Sequence, residues 1–155
     1  MVRTTIAAAL LASMAVAAAP AAAQAKKKMP ADAARGRYLV QIAGCNDCHT
    51  PGYAPSGGKV DEKLWLTGDM LGWRGEWGTT YPPNLRLVAQ SLTEDAFVKR
   101  ARSSELRPPM PWFNVRAMTE RDVRAIYRYL KYAGPAGQPA PAYVPPDKTP
   151  NPPFV

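Results

Sequence analysis

Both cysteines and the only histidine of this 155-residue chain fall in five consecutive positions, Cys45-Asn46-Asp47-Cys48-His49. No second cluster of such ligands exists, so the readings of these five residues can be weighed one by one. A zinc site needs about four protein ligands, and two Cys with one His leave it short. A redox-active C-x-x-C expects a βαβ context, and none is visible around it. A disulfide between Cys45 and Cys48 would close too small a loop to stabilise much. C-x-x-C-H is the attachment pattern for c-type haem. One helical turn separates the two sulfurs, so both reach the edge of one flat macrocycle as thioethers. The adjacent imidazole then stands under the iron as the proximal ligand. A haem c with its iron is the cofactor expected.

The first residues read as an export signal, residues 1–23. Arg3 is the charged start, Ile6 to Val16 an apolar run, and Pro20 precedes the small-residue stretch Ala21-Ala22-Ala23-Gln24. Cleavage is expected after Ala23 or Ala25. An uncleaved N-terminal anchor is the alternative, although the apolar run is short against the roughly 20 residues of a membrane span. Export fits the motif, because haem is joined to c-type cytochromes outside the cytoplasm. A periplasmic protein without a transmembrane span in the mature chain is expected.

What remains suits one domain over residues 24–133, followed by a Pro-rich extended tail over 134–155. The chain carries 20 basic and 12 acidic side chains, a formal net charge of +8. A basic surface favours an acidic redox partner and speeds encounter, or is simply a solvated surface. Nucleic acid is a poor partner for an exported haem protein.

Along the chain, Asp32 offers an N-cap for a helix over Ala33 to Ala43, with Ala34, Tyr38 and Ile42 along one face. Gly44 ends it and Cys45 follows. From Thr50 to Gln90 the chain reads as irregular, punctuated by glycines and carrying Trp65, Trp73 and Trp77. Trp65 fits a satellite core under a loop; Trp73 and Trp77 fit that or a haem face. Thr93 caps a second helix with Glu94 and Asp95 in its first turn. Arg107-Pro108-Pro109-Met110-Pro111 interrupts any helix. Thr119 caps a last helix through Tyr132, with Val123, Ile126, Tyr127 and Leu130 as its apolar stripe and Gly134-Pro135 at its end. The tail has 8 prolines in 22 residues and is expected to be extended, pinned by Tyr143 and Phe154 or disordered.

A single histidine excludes bis-His ligation by this chain alone. Methionine thioether is the next ligand to consider, and it favours electron transfer. Met29 stands in the chain's start. Met118 precedes the Thr119 cap, where a hydrophobic staple to Val123 explains it. Met70 lies in a glycine-rich loop and can fill gaps. Met110 is clamped by Pro109 and Pro111, so presenting its sulfur costs little further entropy. The metal ligands expected are therefore His49 and Met110; a buried Met in a Pro-rich turn is the alternative for Met110. Arg74, Arg107 and Arg116 are candidates to pair with haem propionates.

In this order of parts the chain resembles a class I c-type cytochrome. Met110-Pro111-Trp112, followed by Thr119 to Leu130, is similar to the family's Met-Pro loop and last helix. Tyr81-Pro82-Pro83-Asn84-Leu85 resembles the stretch before the middle helix in dehydrogenase-associated cytochrome c domains. The resemblance covers about residues 33 to 133. It implies an all-α fold, a small helical domain wrapped around one haem, with long loops. It implies that the first and last helices cross near Gly36 and Tyr129. It also implies that the Pro83 carbonyl faces the His49 ring, with Pro83 and Trp112 beside the cofactor. The activity implied is electron transfer through a His/Met-ligated haem, without enzymatic chemistry of its own. The alternatives are an open-site haem protein, ligand-binding or peroxidatic, and a haem subunit of a larger membrane or periplasmic dehydrogenase or oxidase complex.

Overall fold

The computed structural model describes residues 28–155. The expected export signal and its cleavage site lie outside them. The chain is mostly helical. The helices are α1 (Ala31–Ile42), α2 (Cys45–His49), α3 (Leu85–Ser91), α4 (Glu94–Ser103), α5 (Trp112–Ala117) and α6 (Glu120–Ala133), with long connections only between α2 and α3 and between α4 and α5. A single-turn 3-10 segment, Glu62–Leu64, precedes a two-stranded antiparallel ribbon of β1 (Trp73–Gly75) and β2 (Gly78–Thr80). No helix among the described residues is long and apolar enough to cross a membrane.

The crossing of α1 and α6 organises the core. Gly36 is buried against the backbone of α6, and a Cβ there would stand 2.0 Å from the Ala125 carbonyl oxygen. Only a residue without a side chain lets the two backbones approach so closely. One turn further along α6, Tyr129 is 1% exposed. The expected stripe of α6 is buried in full, at Val123, Ile126, Tyr127 and Leu130. Thr119 caps this helix, its hydroxyl accepting from the Asp122 amide at 3.2 Å. Thr93 caps α4 in the same way through the Ala96 amide. Met118, just before the Thr119 cap, packs against the core.

The first helix departs from the expectation in two respects. It starts at Ala31, so Asp32 lies inside the first turn rather than at the cap, where it pairs with Arg128 of α6. Pro30, with its φ fixed by the ring, precedes the helix and lets it begin before Asp32. The face Ala34, Tyr38 and Ile42 points to solvent, with Tyr38 57% and Ile42 60% exposed. The buried face is Ala33, Gly36 and Val40. Close approach at Gly36 determines which side of the helix meets α6, and it outweighs the larger apolar residues on the other side.

The stretch expected to be irregular contains real elements. Trp65 joins the core, edge-on to Tyr53 at 5.7 Å, its indole N–H donating to the Val60 carbonyl. Trp73 lies on β1, and Trp77 sits in the two-residue turn of the ribbon, its ring over Gly75. Helix α3 was hidden by its shortness. Its signal is Asn84, whose side chain accepts from the Leu87 amide as an N-cap. Helix α5, directly after the Pro-rich turn, is a further element the sequence reading lacks.

The tail is extended and lies along both edges of the ribbon. Val144 pairs antiparallel with Thr79 of β2, and Phe154 pairs parallel with Gly72 beside β1. Tyr143 donates to the Trp77 carbonyl at 2.7 Å, and the Arg107 guanidinium stacks over the Tyr143 ring at 3.9 Å. Arg74 lies over Phe154. Both edges of a short ribbon are thereby covered, which removes unpaired backbone donors and acceptors from solvent.

Candidate functional site

Gly44, at φ +69°, ends α1 in the left-handed region and turns the chain directly into α2. That places Cys45, Cys48 and His49 on a single short helix with the thiols one turn apart. Both cysteines are free thiols and partly exposed. Burial pushes the Cys45 thiol up to about 11, and burial raises Cys48 as well, with Asp47 and Asp69 adding to it. Among the described residues no three His, Cys, Asp or Glu side chains gather as a group able to hold a metal ion.

His49 is buried and held at two points. Its Nδ1 lies 2.8 Å from the Pro83 carbonyl oxygen, a partner 34 residues away. Its own carbonyl accepts from the Gly68 amide at 2.9 Å. Burial holds the imidazole below its ordinary range, against the opposing pull of the Pro83 carbonyl. The ring is therefore neutral near pH 7, with Nδ1 as the donor and Nε2 as the free lone pair. A neutral imidazole oriented by a bond from its second nitrogen is the form that ligates a metal.

The support beneath α2 is a chain of buried polar bonds. Thr50 Oγ1 donates to Asn46 Oδ1 at 2.7 Å and accepts from the Leu66 amide at 2.7 Å. Leu66 takes a left-handed φ of +61° while 1% exposed. Such backbone is costly for a leucine and persists only where its surroundings fix it. Here its amide is held by Thr50, and its carbonyl accepts from the Leu85 amide at 3.0 Å. The 66–69 loop thus ties α2 to the start of α3, which carries Pro83 and Asn84.

Met110 lies on the turn between α4 and α5, and Trp112 is the first residue of α5. The turn is closed by backbone bonds from Met110 to the Arg107 carbonyl at 3.3 Å and from Trp112 to the Met110 carbonyl at 2.8 Å. Met110 is half-buried. Arg116 braces this turn, stacking over Trp112 and donating to the Ser103 and Ser104 carbonyls. His49 and Pro83 are brought together by a hydrogen bond, and the Met110 turn is closed by bonds of its own.

The three arginines singled out from the sequence have other partners. Arg74 and Arg107 clamp the tail, and Arg116 braces the Met110 turn. Buried donors without a partner among the described residues are Asn46 Nδ2, Trp77 Nε1, Thr79 Oγ1, Thr80 Oγ1 and Arg116 Nε. Several residues of the site escaped sequence reading. Thr50 and Asn46 lie within and beside the motif but look like ordinary polar residues. Asn84 and Arg86 belong to the short helix that periodicity does not reveal.

The residues present suit a covalently attached haem. They comprise two neutral thiols one turn apart and a buried neutral imidazole with Nε2 free. Comparison with protein-family models, with curated proteins and with solved structures finds no match for this chain.

Proposed function

We propose that this protein is an electron-transfer cytochrome c of the periplasm, with one covalent haem held through Cys45 and Cys48 and ligated by His49 and Met110. The observation that carries the reading is the orientation of His49, buried and neutral with Nδ1 on the Pro83 carbonyl at 2.8 Å. An imidazole so held in a C-x-x-C-H helix has no other evident use.

Haem supplies a one-electron Fe(III)/Fe(II) couple when bound. The work left to the chain is to fix ligands, exclude water and present a docking surface. Cys45 and Cys48 anchor the group from one helix. Pro83 sets the ring plane of His49 and raises the basicity of Nε2. The turn Arg107–Trp112 keeps the Met110 backbone stiff, so that thioether ligation costs little further backbone ordering. No residue is required as an acid, base or nucleophile. The net charge of +8 suits an acidic redox partner, whether a soluble protein or a dehydrogenase or oxidase complex.

The absorption spectrum of natively matured protein and of Met110→Ala tests the reading. The native protein is expected to retain its haem on denaturation, to be low-spin, and to show a thioether-to-iron charge-transfer band in the ferric near-infrared. Met110→Ala is expected to lose that band. Survival of the band there, with loss in Met70→Ala, would move the ligand to Met70. A high-spin native spectrum would instead identify an open-site haem protein, and loss of haem on denaturation would refute covalent attachment.

A further inference from the structure

We infer that Asn84 is a positioning residue that couples the axial imidazole of His49 to the first turn of the C-terminal tail. The inference rests on the ligand role proposed for His49 and adds to it a control from the far end of the chain.

Asn84 is 3% exposed and directly follows Pro83. Its Oδ1 accepts from the Leu87 amide at 3.0 Å and so starts α3. Its Nδ2 donates to the Ala136 carbonyl at 2.8 Å and to the Gln138 carbonyl at 3.2 Å. The amide can face only one way, because two carbonyls require the NH2 group and the helix amide requires the oxygen. The peptide linking Pro83 to Asn84 is thus gripped from the tail side. Gly68 also presses against it: a Cβ there would lie 2.7 Å from the Asn84 nitrogen and 3.0 Å from the Pro83 carbonyl carbon. The oxygen of that same peptide is the one that meets His49 Nδ1.

The tail turn is itself built to fit. Gly137 has φ +70°, and a Cβ on it would lie 3.3 Å from Asn84 Nδ2 and 3.2 Å from Thr67 Cβ. Arg86, also buried, donates to the Gly134 carbonyl at 2.5 Å, to the Lys63 carbonyl at 2.7 Å and to the Ala133 carbonyl. The start of α3 is therefore the dock for residues 133–138, and the Pro83 carbonyl projects from that dock onto the imidazole. When the tail turn loosens, the carbonyl is held less firmly and the Nδ1–H bond weakens. The imidazole then donates less to iron, and the oxidised state loses stabilisation.

Asn84→Asp and Gly137→Val in the full-length, natively matured protein test this. The aspartate variant keeps an oxygen to cap α3 but sets its second carboxylate oxygen against two carbonyls. Gly137→Val strains the tail turn and leaves Asn84 intact. His49 is the chain's only histidine, so its ring resonances are unambiguous in a 15N-histidine-labelled sample. Both variants are expected to exchange the Nδ1 proton about fivefold faster, the factor that loss of about one net hydrogen bond implies, and to have a raised reduction potential. Asn84→Asp matching the wild type while Asn84→Ala alone shifts would show that Asn84 only caps the helix, and would overturn the coupling. Unchanged exchange in all the variants would overturn it equally. Absence of covalent haem would refute the electron-transfer reading, while ring exchange in the same samples would still decide the role of Asn84.

Discussion

Replacing Gly36 by alanine should destabilise the protein by about 2 kcal/mol, against the sign that helix propensity alone would give. In an exposed helix interior the change gains about 1 kcal/mol, because glycine is the poorer helix former. Here the new Cβ would stand 2.0 Å from the Ala125 oxygen, 2.5 Å from its carbonyl carbon and 2.9 Å from the Ile126 nitrogen. Real Cβ atoms essentially never come within 3.0 Å of such neighbours. All three atoms are backbone of α6, so no side chain can swing aside, and the helices must part by roughly 1 Å. Overpacking of this kind costs about 1–3 kcal/mol, and the rigid neighbours put it at the upper end, about 3. Subtracting the propensity gain leaves about 2 kcal/mol. Urea denaturation of the natively matured protein, followed by far-ultraviolet circular dichroism, measures the difference. For a domain of this size the same loss lowers Tm by roughly 8 °C. A neutral or stabilising Gly36→Ala would refute the argument that this crossing rests on backbone contact.

The buried hydroxyl of Thr50 and the carboxylate of Asp122 offer two independent tests. Thr50→Val leaves the Leu66 amide and Asn46 Oδ1 without their common partner, at a cost of about 3 kcal/mol for two buried polar groups; a loss below about 1 kcal/mol in urea titration would refute the bridging role. Arg35 and the Thr119 hydroxyl hold the Asp122 carboxyl below the usual carboxylate range. Its contribution is then complete above the ordinary value near about 4 and fades as pH falls through the lower folded one. Asp122→Asn should therefore be less stable than the wild type at pH 7, with the gap in denaturation midpoint closing under more acid conditions; a gap independent of pH would refute the ion pair as its source.

The parts legible in the sequence share a short range. Cys45, Cys48 and His49 need only one turn of chain to define their chemistry. Thr93 and Thr119 cap their helices through amides three residues on, and α6 shows its apolar stripe because nearly all of it is buried. The first helix was misjudged for the opposite reason. Periodicity defines faces, but rotation about the axis was settled by Gly36 meeting Ala125, far away in sequence. Helix α3 has too few residues for a periodic signal, and the tail's order depends on partners at Trp77, Thr79 and Gly72.

By itself, then, the sequence determined that Cys45, Cys48 and His49 lie within one turn of chain and where helices α4 and α6 start. Only the tertiary structure decided which face of α1 is buried and what the proline-rich tail covers. The physical reason is the distance over which each is settled. Caps and motifs are closed by bonds within a turn. The pairs His49 with Pro83, Gly36 with Ala125 and Thr79 with Val144 exist only once distant segments pack; the family resemblance implies the first and a crossing near Gly36, while no local pattern of residue types announces the third.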